Sequence, residues 1–95
     1  MANRPRQVLF GFSPWKLTMR EAAQLPRIAA QAERAGLDLL TFSDHPYVGA
    51  KLDAYVSIAA ALSGTSRLRA AVSVTNTPLR PAPMLARTLT SLSAV

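Results

Sequence analysis

The chain has 95 residues, of which 49% are hydrophobic and 17% are charged, and it contains no cysteine. This composition predicts one small globular domain and excludes a largely disordered chain, a disulfide framework and thiolate chemistry. The formal net charge is +6, but the Lys and Arg residues form no dense run, so the charge does not predict a nucleic-acid partner.

The amino-terminal segment is polar and basic over Met1–Gln7, and only a short apolar run follows it. That run is too short for the core of a signal peptide or for a membrane span. We therefore expect a cytoplasmic protein that does not associate with membranes, with disorder only in its first few residues.

The first predicted elements are a strand and a helix. The continuous apolar run in Gln7–Phe12 predicts a short buried strand. Thr18 and Glu21 have the spacing of a capping box, and apolar residues recur beyond them on one helical face. Pro26 either kinks this first helix or marks a second start, and Gly36 is placed to end it.

A second strand and helix follow. The apolar run Leu37–Phe42 is too short for a helix and predicts the second strand. A polar loop, Ser43–Leu52, leads to Asp53, whose carboxylate is placed to cap a helix that ends at Gly64.

The third strand and helix complete the pattern. Small and β-branched residues in Leu68–Val74 predict a strand, and Thr75–Pro78 forms a loop. Pro83 suits the first turn of helix three, in which leucines recur at helical spacing. The sequence stops at Val95 inside this helix without a capping residue, so we expect a truncated or fragmentary chain.

Strands and helices that alternate in this way predict an α/β fold with a parallel sheet. Three parallel strands leave two open edges, and apolar parallel strands are normally covered by other elements on both faces of the sheet. The pattern therefore predicts that more chain or a partner subunit completes the structure. Functional residues of parallel α/β folds collect at the carboxyl ends of the strands.

The strongest catalytic candidates follow strand two. His45 is the only histidine, and it stands next to Asp44 at the end of the strand. A neutral imidazole in this position can move a proton near neutral pH, with Asp44 orienting it or a bound coenzyme. Alternatively, the pair simply caps helix two or its loop. No second ligand stands at metal-site spacing, so no metal is predicted.

Two further loops leave the same edge of the predicted sheet. Trp15 follows strand one and either forms an apolar wall over a planar ring or packs against the next helix. Ser73, Val74, Thr75 and Asn76 follow strand three and either offer polar groups to a ring or phosphate or form an ordinary polar loop.

These segments together resemble the luciferase-like monooxygenases and their deazaflavin-dependent relatives. The resemblance lies in Ala32–Asp38 with Ser43–His45, and in Arg67–Asn76 with the residues from Pro78 to Ser93. It covers nearly the whole chain and keeps the order of the family's elements.

The resemblance implies that residues 1–95 are the first three β/α units of a (β/α)8 (TIM) barrel. It also implies a coenzyme at the carboxyl rim, either coenzyme F420 or FMN, with His45 at the reaction centre and a small organic substrate. A cis peptide between Ser73 and Val74 is expected to press against the coenzyme ring. Thr75 and Asn76, with Ser13, would line the same pocket, and Trp15 would contact the substrate.

Two other classes of protein stay open. The chain is alternatively a non-catalytic barrel-fragment module that folds by pairing with copies of itself or with another subunit. A small flavodoxin-like domain is the third possibility, although no Gly-rich phosphate loop supports it.

Overall fold

The structure is a computed structural model that describes residues 5–95. Three strands and three α-helices alternate along the chain: β1 (Gly11–Phe12), α1 (Leu25–Arg34), β2 (Leu39–Phe42), α2 (Ala54–Leu62), β3 (Arg69–Val72) and α3 (Ala82–Ala94). Two 3-10 helices, Met19–Gln24 and Thr77–Leu79, stand before α1 and α3. The expected disorder of the first residues concerns positions 1–4, which lie outside the described range.

The three strands form one sheet in the order β1-β2-β3, and both neighbouring pairs are parallel. Leu40 of β2 lies opposite Phe12 on one side and Ala70 on the other. The predicted α/β class with parallel strands is confirmed. The architecture is compatible with part of a β/α barrel.

The first strand is shorter and more open than the sequence predicts. A buried strand was expected over Gln7–Phe12, but only Gly11 and Phe12 pair with β2. Val8 and Phe10, which precede β1, are 69% and 64% exposed. Side chains project from the faces of a sheet, so in the described residues no packed layer covers this part of the chain. The prediction of a buried strand is therefore wrong for this part of the chain.

The proline and glycine of the first helix act as predicted. The segment begins as a 3-10 helix, with Thr18 N–H donating to Glu21 Oε2 at 2.9 Å. The α-helix then starts at Leu25, with Pro26 in its first turn, so the proline marks a second start. Gly36 follows the helix with a φ of 91°, a left-handed conformation that glycine adopts without steric cost.

The other two helices also begin where the sequence predicts. Asp53 caps α2, and its Oδ2 accepts hydrogen bonds from the backbone N–H groups of Tyr55 and Val56, both at 3.0 Å. Pro83 lies in the first turn of α3, where its missing N–H leaves no helical hydrogen bond unmade.

The hydrophobic core lies between α1, α2 and one face of the sheet. Leu25 of α1, Ala61 of α2 and Leu40 of β2 are almost fully buried within it. Successive strand residues point to opposite faces, and the alternate residues Arg69 and Ala71 of β3 are exposed. The second face of the sheet is therefore open at β3 in the described residues. None of the helices described is long and apolar enough to cross a membrane.

Candidate functional site

A cavity of about 290 Å³ lies at the carboxyl ends of β1 and β2. The loop after β1 contributes Ser13 and Trp15 to its wall, and the loop after β2 contributes His45 and Lys51. Apolar side chains form most of the remaining wall: Pro14, Leu17, Leu25, Phe42, Val48 and Leu52. The carboxyl-end loops therefore meet around one cavity, as parallel strands require.

Two hydrogen bonds hold the walls of this cavity together. Met19 N–H, at the start of the 3-10 helix, donates to the carbonyl of Ala50 at 2.9 Å. Lys51 Nζ donates to the carbonyl of Leu17 at 3.4 Å. Both bonds join the β1 loop to the β2 loop, so the shape of the cavity depends on long-range contacts.

His45 lies at the cavity wall and is exposed. Its Nδ1 shares a hydrogen bond of 2.9 Å with the hydroxyl of Tyr47, and the two rings are tilted by 44°. Because Nδ1 is engaged in this way, Nε2 is the ring nitrogen left to exchange a proton. Tyr47, which the sequence analysis did not single out, holds the imidazole ring.

Asp44 makes different contacts from those the sequence suggested. Its side chain is almost fully buried, with only 2% of its surface exposed. Oδ2 accepts from Arg80 Nε at 2.7 Å and from the backbone N–H of Asn76 at 2.9 Å, while Oδ1 accepts from Arg80 Nη2 at 2.8 Å. The hydrogen bonds described for this carboxylate thus go to Arg80 and Asn76 and not to His45.

Arg80 joins three parts of the rim. Besides Asp44, its Nη2 donates to Asp53 Oδ1 at 2.6 Å, and its guanidinium lies 4.4 Å from the centre of the Tyr55 ring. The Tyr55 hydroxyl in turn shares a hydrogen bond of 2.6 Å with Thr75 Oγ1. We call Asp44, Asp53, Tyr55, Thr75 and Arg80 the Arg80 cluster.

The charges of the Arg80 cluster stabilise one another. The hydrogen bond from Arg80 lowers the pKa of Asp44 below its ordinary value, against the opposing effect of burial. Burial also opposes ionisation of Asp53, but Arg80 and the helix N–H groups lower its pKa overall. The two carboxylates raise the pKa of Arg80. All three groups are therefore charged at neutral pH.

The loop after β3 lies beside the same rim. The Ser73–Val74 peptide bond is cis, as the resemblance predicted. Val74 is 73% exposed. Asn76 is tied to the β2 loop through Asp44, and Thr75 is tied to α2 through Tyr55. The predicted residues of this loop therefore lie at the same end of the sheet as His45, but they do not form the cavity wall.

Trp15 is largely exposed at the edge of the cavity. Its side chain is 64% exposed, and the ammonium groups of Lys51 and Lys16 lie 5.3 Å and 5.9 Å from its ring centre. Trp15 is therefore not a buried residue, and both of its predicted roles, an apolar wall over a planar ring or packing against the next helix, stay predictions. The capping alternative for Asp44 and His45 is wrong for helix two, because Asp53 caps it.

Three residues of this region were not predicted from the sequence: Tyr47, Lys51 and Arg80. Lys51 is a single cation in a polar loop, and Arg80 stands 36 positions from Asp44 along the chain, so no local spacing connects either with the site. Tyr47 could have been found from its position two residues after His45.

Comparisons with known proteins give one match. The sequence profile of the family described as luciferase-like monooxygenase matches residues 7–95. Searches of curated proteins and of solved structures found no match. The matched range covers nearly the whole chain and all three β/α units. The chain belongs to the luciferase-like monooxygenase family, a family of oxidoreductases.

Proposed function

We propose that this chain is the amino-terminal part of a flavin- or coenzyme F420-dependent oxidoreductase with a (β/α)8 barrel. The observation that carries the proposal is the convergence of Trp15 and His45 on one cavity at the carboxyl rim of a parallel sheet. The remaining β/α units of a barrel would cover the open edges of β1 and β3.

The rim residues fit a planar coenzyme ring. Trp15 and Val74 are apolar and mostly exposed, and such surfaces suit the faces of a ring system. Ser13 lines the cavity together with Trp15, where its hydroxyl could bind a ring edge. When bound, such a coenzyme supplies hydride-transfer chemistry.

His45 is the residue of this chain that would move a proton. Its ring is fixed through Nδ1 by Tyr47, and its Nε2 is left to take or give a proton at a small organic substrate. Asp44 would act as a positioning residue, because it binds the backbone of Asn76 and the side chain of Arg80 and so joins the loop after β3 to the loop that carries His45.

Coenzyme binding tests the proposal first. Titrating the chain with FMN and with coenzyme F420, while following coenzyme fluorescence, is expected to give saturable binding of one of them. Trp15→Ala is expected to weaken that binding about tenfold, because it removes the exposed aromatic surface. Binding of neither coenzyme would overturn the coenzyme assignment.

The role of His45 is tested separately. In the complete barrel that contains this chain, His45→Gln keeps a side chain that forms hydrogen bonds but cannot carry a proton at neutral pH, so turnover is expected to fall by at least about 100-fold. Coenzyme affinity should change by no more than about twofold, because the apolar surfaces proposed to contact the coenzyme ring are unchanged in this variant. Turnover equal to that of the unaltered complete barrel would remove His45 from the mechanism.

The alternative is a non-catalytic module that folds by self-association. The exposed apolar residues of the first strand region, Val8, Phe10 and Phe12, favour it. Light scattering of the purified chain gives its oligomeric state. A folded oligomer that binds neither coenzyme in the titration would support the non-catalytic module over the oxidoreductase.

A further inference from the structure

We propose that the cavity binds an amphipathic anion, a molecule with an apolar body and one negative group that pairs with Lys51. Identifying this ligand as the substrate rests on the proposed function above. Binding of the anion itself does not depend on a coenzyme and can be tested without one.

The cavity wall has an unequal charge. Lys51 and His45 are the titratable residues of the wall, and no carboxylate lines it. Most of the remaining wall is apolar, which favours a ligand with an apolar body. A cation at the edge of an apolar cavity attracts a negative group more strongly than it would in bulk water.

Lys51 has donors to spare. Within the described residues its ammonium makes one side-chain hydrogen bond, to the carbonyl of Leu17 at 3.4 Å, and it takes part in no salt bridge. An ammonium group carries three donors, so two are left for a ligand. The indole of Trp15 beside it accepts no conventional hydrogen bond and leaves this capacity unused.

The acidic residues of the chain are all engaged elsewhere. The sequence contains five Asp and Glu residues. Their side chains bind the following groups: Glu21 to Thr18, Glu33 to Ser66 through Leu68, Asp38 to Phe10 and Arg67, and Asp44 and Asp53 to Arg80. None of them neutralises Lys51. Within the described residues, the positive charge at the cavity is therefore left without a carboxylate partner.

Trp15 provides the readout. It is the only tryptophan of the chain and it lines the cavity, so its fluorescence reports on what enters. The probes are octanoate and 1-octanol, which share an apolar chain and differ in charge. Octanoate is expected to change the emission saturably and to bind at least about fivefold more tightly than 1-octanol, because only the carboxylate pairs with Lys51.

Substitutions at two lysines separate the charge from the fold. Lys51→Gln keeps an N–H donor but has no charge, so its affinity for octanoate is expected to fall about tenfold while that for 1-octanol is unchanged. Lys51→Arg should restore octanoate binding. Lys16→Gln is the matched control, since Lys16 lies near the same indole but does not line this cavity, and it should change octanoate affinity by no more than about twofold.

Salt provides a second measurement on the unaltered chain, which does not depend on the folding of any variant. Raising NaCl from about 0.05 to 0.5 M should weaken octanoate binding and leave 1-octanol binding unchanged or slightly stronger. Equal binding of the two probes, or an equal loss of both in Lys51→Gln, would overturn the proposal. Failure of coenzyme binding with octanoate binding intact would overturn the proposed function alone.

Discussion

Two neighbouring regions of the carboxyl rim differ in how far their polar groups are satisfied. In the Arg80 cluster, Asp44 is buried and accepts three hydrogen bonds, and Arg80 contacts two carboxylates and an aromatic ring. At the cavity, His45 and Lys51 each make one side-chain hydrogen bond in the described structure. The first region fixes the rim, and the second leaves polar groups for a ligand.

The contrast is sharpest between Asp44 and His45, which are adjacent in the sequence. The chain direction at the end of β2 turns Asp44 inward and His45 outward, so that one residue is buried and the next is exposed. We therefore expect Asp44 to contribute mainly to stability and His45 mainly to proton transfer. A change at Asp44 should alter the fold, whereas a change at His45 should alter the reaction.

The largest effect is expected from Asp44→Ala. Removing this carboxylate leaves Asp53 as the remaining carboxylate partner of Arg80 and leaves the N–H of Asn76 unpaired, which should lower the free energy of unfolding by about 2–3 kcal/mol. Urea denaturation followed by circular dichroism measures the change.

Asp38→Ala is the matched control for that experiment. Asp38 also binds a backbone N–H, at 2.9 Å, but its contact with Arg67 is longer, at 3.7 Å, and more exposed. Its loss should cost about 1 kcal/mol. Equal destabilisation by the two substitutions would contradict the special role given to the Arg80 cluster.

Acid should weaken the Arg80 cluster in a defined direction. The pKa values of Asp44 and Asp53 in the folded chain lie below the ordinary 3.8. As the pH falls, these two carboxylates are therefore protonated in the unfolded chain before they are protonated in the folded chain. The stability that these carboxylates contribute is therefore present above pH 3.8 and is lost as the pH falls through their lower, folded values.

Urea midpoints measured down to about pH 2.5 test this dependence. Asp44→Asn should flatten the acid side of the curve, because one of the linked carboxylates is gone. Glu33, whose pKa is lowered by hydrogen bonds from the backbone N–H groups of Arg67 and Leu68, should keep its own part of the loss. An unchanged curve in Asp44→Asn would show that Asp44 does not supply the acid sensitivity.

The smallest effect on stability is expected at His45. His45→Gln should shift the free energy of unfolding by less than about 0.5 kcal/mol, because the ring is exposed and its bond to Tyr47 is exposed as well. The same variant is the one expected to lose turnover. A loss of stability close to that of Asp44→Ala would remove the distinction between the two residues.

Much of the fold could be predicted because its signals are local. Gly36 ends a helix and Asp53 begins one because each acts on backbone groups within a few residues. Pro26 marks a helix start for the same reason. The order of strands and helices then requires parallel pairing, and parallel pairing brings the loops with Trp15 and His45 to one edge.

Contacts between distant residues could not be predicted in the same way. Arg80 and Asp44 are 36 positions apart, and Lys51 and Leu17 are 34 apart; no periodic pattern links such pairs. The exposure of the first strand region was missed for a related reason, since the apolar run before Gly11 is the same whether or not another layer packs on its side chains.

The sequence by itself determined the element order, the helix ends at Gly36 and Asp53, and the placing of His45 after the second strand, because these depend on short-range backbone chemistry. Only the tertiary structure decided that Asp44 pairs with Arg80, that Tyr47 forms a hydrogen bond with His45, and that Lys51 lines a cavity without a carboxylate. Such pairings depend on which loops the packed sheet and helices bring together in space.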